Sequence, residues 1–207
     1  MAISYPLSLP TSIGIASVEF TSSNAVAISQ SPFTYKQQVH TYSGQMLSAS
    51  VSIPPLRKEF VEPWVAFLLA LRGQTGTFLL GDPNNTTPRG LAATFAGTPV
   101  VSSVSGGTIS ITGASANKTG WLKAGDYIQL GTGSTSTLHK VLLDVDTGSG
   151  GAATLEVWPY PRGTVASGAT VKVSDTKGLF RLATNQQSWS INDSSAYGLQ
   201  FDCIEAI

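Results

Sequence analysis

Apolar and polar side chains alternate one for one in QMLSASVSI, with Leu47, Ala49, Val51 and Ile53 on one side and Ser48, Ser50 and Ser52 on the other. A period of two predicts a half-buried strand with a hydroxyl outer face, which Pro54-Pro55 should end. Weaker alternation predicts strands at Ile13 to Phe20, Asn24 to Ile28 and Tyr35 to Tyr42, separated by Ser, Asn and Pro. The period then changes. In RKEFVEPWVAFLLALRG, Phe60, Trp64, Phe67, Leu68 and Leu71 fall on a single helical stripe. Pro63 suits a first turn, Glu62 suits the positive end of the dipole, and Arg72-Gly73 form a stop. So short a helix needs a sheet to pack on, and Trp64 is read as core in preference to a ligand-stacking platform.

Thr77 to Leu80 read as a further strand and Gly81 to Asn85 as a turn. Beyond Ala93 the texture becomes short strands between Gly-rich turns, at Pro99 to Val104, Thr108 to Ile111, Tyr127 to Leu130, Leu138 to Val145, Ala153 to Trp158 and Thr170 to Val173. Five or six strands in this compass fit a small closed barrel of OB-like order. Within it, GWLKAGDYIQLG predicts a surface turn at Lys123 to Gly125 left by Asp126. Trp121 and Leu122 would cap the barrel, Ile128 and Leu130 would enter its core, and Tyr127 and Gln129 would face out. Lys123 and Asp126 are expected to be exposed and architectural.

After Lys177-Gly178 longer strands with larger side chains return, in FRLATNQQSWSI and YGLQFDCIEAI. In the second, Leu199, Phe201, Cys203 and Glu205 share a face. The expected fold is therefore mainly β: a β-sandwich host domain with one packed α-helix, residues 1–93 plus 176–207, into which residues 94–175 insert a small OB-like β-barrel.

Composition narrows the function. Only 12% of the 207 residues are charged, against about 25% in an average protein, and the formal net charge is zero. No broad field is present to attract nucleic acid or anionic lipid, so partners must be recognised by shape. A single cysteine, Cys203, excludes an intrachain disulfide. The longest apolar run, Val65 to Leu71, is far short of a bilayer span, and MAISYPLSLP has no leader pattern, so a soluble and unprocessed chain is expected.

Candidate chemistry is sparse. His40 and His139 stand apart from any metal-ligand spacing, and His139 in LHKVLLDV is expected to face outward. Asp144 and Asp146 read as a turn approach before TGSGG. GASANKTG is one residue too short for a phosphate loop, and there is no G-x-S-x-G elbow. No catalytic, cofactor-binding or metal residues are assigned. The aromatics Trp121, Tyr127, Trp158 and Tyr160 form a candidate glycan-contact patch, although Pro159 and Pro161 also fit a merely stiffened strand end.

The succession of an alternating strand, FVEPWVAFLLALRGQTGTFLLGDP, LKAGDYIQLG, HKVLLDV, ATLEVWPYPR and GLFRLAT resembles the distal tail proteins of bacteriophages with long flexible tails, in the subgroup whose belt domain carries an inserted OB-fold. The resemblance covers residues of about 42 to 183. It implies a virion structural protein, made in the bacterial cytoplasm, that forms a homo-hexameric ring between the tail tube protein and the tail tip or baseplate hub. The first 40 residues would then supply ring or tube contacts. Two other classes stand beside this reading: a carbohydrate-binding module using the barrel aromatics on host-surface glycans, and a β-sandwich hydrolase, for which no nucleophile or acid/base pair is visible.

Overall fold

A computed structural model describes residues 3–12, 14–191 and 196–206. Ile13, the start of the first expected strand, and the outermost residues of the host segments, 1–2 and 207, lie outside the described residues. The three weak amino-terminal strands prove to be one hairpin: β1, Ser17–Gln30, runs antiparallel to β2, Gln37–Arg57, from Ser17↔Ser52 to Gln30↔Gln37. Serine and asparagine had read as breaks, but hydroxyl and amide side chains leave the backbone ladder intact when both strand faces meet solvent. Nor do Pro54-Pro55 end β2. Their missing N–H groups fall where no ladder needs them, beyond the last β1 pair at Ser52 and opposite the register break between Tyr197 and Leu199.

The helix α1, Lys58–Ala70, starts directly after β2 and buries Val61, Trp64, Val65, Phe67 and Leu68. Phe60, expected on the apolar stripe, is exposed, because Val61 takes the core-facing position one residue later. Pro63 sits in the second turn, one turn deeper than expected. Arg72 and Gly73 both adopt left-handed φ, 52° and 67°, and end the helix as the sequence indicated. The helix lies on a sheet to which β3, Phe78–Leu80, contributes an edge.

Six strands make up the insert: β4 (Gly97–Ser105), β5 (Thr108–Ala114), β6 (Tyr127–Leu130), β7 (Thr137–Val141), β8 (Ala153–Trp158) and β9 (Val171–Lys172). They follow the order β4-β5-β8-β7-β6-β9, and the open side is drawn together by Val101 N–H donating to Ala169 O at 2.9 Å and Gly168 N–H donating to Val101 O at 2.7 Å. The sheet is thus a nearly closed barrel. The strand expected to reach Val145 stops at Val141, leaving Leu142 and Leu143 exposed.

The chain then returns as β10 (Gly178–Leu182), β11 (Trp189–Ile191) and β12 (Ala196–Glu205). FRLATNQQSWSI is two strands, since residues 183–188 leave the ladder and β11 rejoins β12 beyond β10. The host order is β1-β2-β12-β10-β3 with β11 on β12, giving two six-stranded sheets among the described residues. This mainly β architecture, with one helix and one nearly closed barrel, is the β-sandwich-plus-barrel class expected from sequence.

Two apolar clusters form. One joins α1 to β2, β3, β10 and β12 and includes Leu199, Phe201 and Cys203; the other fills the barrel around Trp121, Ile128 and Leu155. They meet at β6, all four residues of which are buried. Ile128 and Leu130 enter the barrel core as expected, but Tyr127 and Gln129 face the host domain and not water. Tyr127 joins the host cluster. The Gln129 amide donates to Gly131 O and Ser136 Oγ, both at 3.0 Å, and accepts from Lys177 N–H at 2.9 Å. Period-two reasoning finds the outward face and does not reveal that another domain covers it.

Trp64 is buried against Phe67 and Phe201, with ring centroids 6.1 and 6.4 Å away. Trp64→Ala is expected to cost about 3 to 5 kcal/mol in denaturant unfolding. The indole N–H has no partner among the described residues, so Trp64→Phe, which loses volume but none of the described hydrogen bonds, should cost clearly less.

Candidate interaction surface

From Thr21 to Gly44 every described residue but Ser31 is exposed. The distal halves of β1 and β2 form an arm that leaves the body. Ile28 pairs with Val39, and they are 64% and 60% exposed, so one face of the arm is apolar with no described residue upon it. At the tip, Ser31 N–H donates to Lys36 O at 3.0 Å and Tyr35 N–H to Ser31 O at 2.9 Å. This closed turn presents Phe33, 91% exposed, and Tyr35. His40, without a metal partner, stacks edge-on against Tyr42 at 4.6 Å. Lys36 is the only Lys, Arg, Asp or Glu between Thr21 and Gln45.

The arm root is irregular. Between the Asn24↔Gln45 and Val26↔Thr41 pairs, Tyr42, Ser43 and Gly44 oppose Ala25 alone. Here the barrel reaches the host: Trp158 Nε1–H donates to Asn24 Oδ1 at 2.8 Å, and Tyr160 N–H donates to Gln45 Oε1 at 2.7 Å. The end of β8 and the segment after it therefore grip both strands just below the bulge. Nearby, Arg162 pairs with the buried Glu205, whose Oε2 also accepts from Leu47 N–H at 3.5 Å. Burial raises the Glu205 carboxyl above its usual range, with Arg162 opposing that shift.

The four aromatics singled out in the sequence are not brought together. Trp121 is fully buried and donates from Nε1 to Phe95 O at 2.9 Å. Tyr127 is 7% exposed and lies beneath Lys140 Nζ at 4.4 Å. Trp158 is half-buried at the arm root, and Tyr160 alone presents a ring to solvent. Trp121 and Tyr127 are excluded from a glycan platform because packing consumes both rings.

Lys123 and Asp126 are also corrected. They are not an exposed pair. Asp126 is fully buried and accepts from the N–H groups of Lys123 (2.8 Å), Arg89 (3.0 Å) and Gly90 (3.3 Å), tying the barrel turn to the segment entering the insert. Arg89 completes the clasp through its own side chain, donating to Asp126 Oδ1 and Ala124 O. Lys123 instead meets Asp144 at 2.8 Å on the surface. Their hydrogen bond and charge raise the lysine pKa and lower that of the aspartate. Asp144 and Asp146 accept from the Ala124 and Gly120 amides, at 2.9 and 2.6 Å, which gives both carboxylates a structural task.

His139, expected to face outward, is buried and lies on the barrel-core face of β7, opposite Ile128 and on the side of Val141, whereas Leu138 faces the host. Nδ1 lies 2.6 Å from the Pro159 carbonyl and Nε2 lies 2.8 Å from Thr137 Oγ1. A carbonyl only accepts, so Nδ1 carries the proton and neutral Nε2 accepts from the hydroxyl. Burial holds the pKa down to about 4, with Arg162 adding to the depression and the Pro159 hydrogen bond opposing it. No group of three or more His, Cys, Asp or Glu side chains suited to a metal occurs among the described residues. No helix among them is long and apolar enough to cross a membrane. Comparison with known protein families and with curated proteins yields no match.

Two outcomes follow from these buried polar groups. Asp126→Ala strands three backbone donors, two of them half-buried or deeper, and is expected to destabilise the fold by about 3 kcal/mol or more, whereas Lys123→Ala should leave the thermal midpoint nearly unchanged. For His139, the unfolded side chain takes up a proton at an ordinary value near 6.5 and the folded one only near 4. Its contribution is therefore fully present above pH 6.5, falls as pH drops through that window, and is lost below pH 4. The size is on the order of 3 kcal/mol. Urea unfolding from pH 7 to 4, compared with His139→Asn, which keeps a donor near Nδ1 but does not titrate, isolates this slope.

Proposed function

We propose that the chain is a structural ring protein of a bacteriophage tail, a homo-hexamer placed between the tail tube protein and the tail tip or baseplate hub of the virion. The observation that carries this reading is the arm. Its apolar face is unpartnered and its length almost uncharged, a combination that native proteins avoid on edges meant to stay in water. From Thr21 to Gln45 it spans about the 20 to 30 residues that one partner contributes to a standard protein interface. The family resemblance supports six copies, and a net charge of zero supports association by shape rather than by field. The polar side chains agree with such a role: buried Asp126 and His139, and Asp144 and Asp146 at the surface, all hold backbone or neighbouring groups.

Light scattering and negative-stain microscopy of the full chain are expected to show closed assemblies of six times the monomer mass. Replacing residues 25–41 with a short Asn-Gly turn should give a folded monomer with unchanged near-ultraviolet circular dichroism. Monomer alone at every concentration of the intact chain, with or without its tail partners, overturns the ring.

A further inference from the structure

Four polar side chains, Thr137, His139, Arg162 and Glu205, converge on a cavity of about 260 Å³ between the start of β7, the segment after β8 and the end of β12. His139 and Glu205 are only 2% and 6% exposed, so the cavity is built into the body and not laid on its surface. Burying such groups is costly unless their hydrogen bonds are met. What each group still offers can be read from its partners. The Pro159 carbonyl only accepts, so His139 Nδ1 carries the proton, Nε2 accepts, and Thr137 spends its hydroxyl hydrogen on that bond. Thr137 Oγ1 is thereby left to the cavity as an acceptor, and His139 is the residue that positions it.

Glu205 Oε2 accepts from Leu47 N–H and from Arg162 Nη2, while Oε1 accepts nothing among the described residues. Arg162, with its side chain 25% exposed, has no described partner for the donors on Nε and Nη1. The cavity therefore sets two acceptors beside a fork of unspent donors. An anion has no proton for the acceptors and meets the charge of Glu205. A cation meets Arg162. A hydroxyl both donates and accepts, and adjacent hydroxyls answer the whole set. We infer that this cavity binds a neutral molecule with vicinal hydroxyl groups, a single sugar ring or a short polyol, which donates to Thr137 Oγ1 and Glu205 Oε1 and accepts from Arg162. The volume agrees, since it falls just under the range of about 300 to 1,000 Å³ usual for drug-sized ligands. None of Trp121, Tyr127, Trp158 and Tyr160 lines the cavity, so the site is separate from the aromatic patch considered in the sequence.

Saturation-transfer NMR on the full chain tests this with D-glucose, D-galactose, N-acetyl-D-glucosamine, glycerol and ribitol as probes, against acetate, acetamide and methylammonium. Binding is expected among the hydroxylated probes alone, with a Kd on the order of 1 mM for the best of them. Sugars binding without the polyols, or the reverse, identifies the source of the hydroxyls. The best probe should shift the imidazole resonances of His139 and leave those of His40, the one other histidine, in place. Thr137→Val, close in shape but without the acceptor, should weaken binding about 10-fold with unchanged near-ultraviolet circular dichroism, and Thr137→Ser should keep it. The site is overturned if no hydroxylated probe binds at roughly 50 mM, far above that Kd, or if binding leaves the His139 resonances unmoved. Acetate, acetamide or methylammonium binding as well as the best hydroxylated probe overturns the ligand class.

Discussion

A strand of 21 residues is longer than the body that holds it. At about 3.3 Å per residue it spans close to 70 Å, whereas a compact chain of this length has a radius of gyration of only about 17 Å. β2 must therefore leave the globule, and most other features follow from where it does so. Its inner half pairs with β12 and carries Leu47, Ala49, Val51 and Ile53 into the core. Its end passes into α1 without a loop, so the helix is laid on the sheet by the same strand. Its outer half is left with β1 as sole partner. A two-stranded ribbon in water is marginal by itself, and this one is fastened to the body only at its root.

The insert supplies that fastening, which makes it more than an appendage. Tyr127 and Leu138 on the outer wall of the barrel are counted in the host core, and Trp158 packs against it. The strands β6 and β7 thus serve two cores at once. Covering both faces of so short a strand removes every ordinary site for a polar side chain, and Gln129 and His139 are tolerated because each is fully hydrogen-bonded. Asp126 does the same for the turn between the cores. Its carboxylate accepts backbone donors from both the turn and the incoming segment, so the barrel mouth and its connection to the host are set by one buried charge.

How much of this was legible depends on whether a signal is local. The helix, the strand Ala153–Trp158, and the shared face of Leu199, Phe201, Cys203 and Glu205 follow from periodicity, because each buries a face repeated along its own residues. The arm reads in sequence as two separate short strands, Asn24 to Ile28 and Tyr35 to Tyr42, because its side chains meet water on both faces and only weak alternation marks it, while SSNAVAISQSP resembles a series of turns. Tyr127 and Gln129 point away from the barrel core as read but are covered by the host, while His139, read as outward, lies on the barrel-core face opposite Ile128. Asp126 was read as exposed because KAGD has the composition of a surface turn, and its partners at Arg89 and Gly90 are more than thirty residues away. The candidate surface is the part that sequence conceals most: an exposed arm tip carrying Phe33 and Tyr35, marked by no motif.

In the proposed ring each copy must meet the next at one angle, and that angle decides between a closed ring and an open filament. For an arm that reaches a neighbour, the angle is set at the root, where three residues of β2 oppose one of β1. A bulge bends and twists a ribbon, and a bend without support would allow a range of angles and hence of assemblies. Here Trp158 holds Asn24 on one strand and Tyr160 holds Gln45 on the other, while Arg162 anchors the same segment to Glu205 in the host sheet. Pro159 and Pro161 remove backbone freedom between these three grips. The stiffness of WPYPR, which in the sequence looked like either an aromatic patch or a stiffened strand end, thereby sits at the hinge between the body and the only long lever it possesses among the described residues, the place at which the proposed ring would need it.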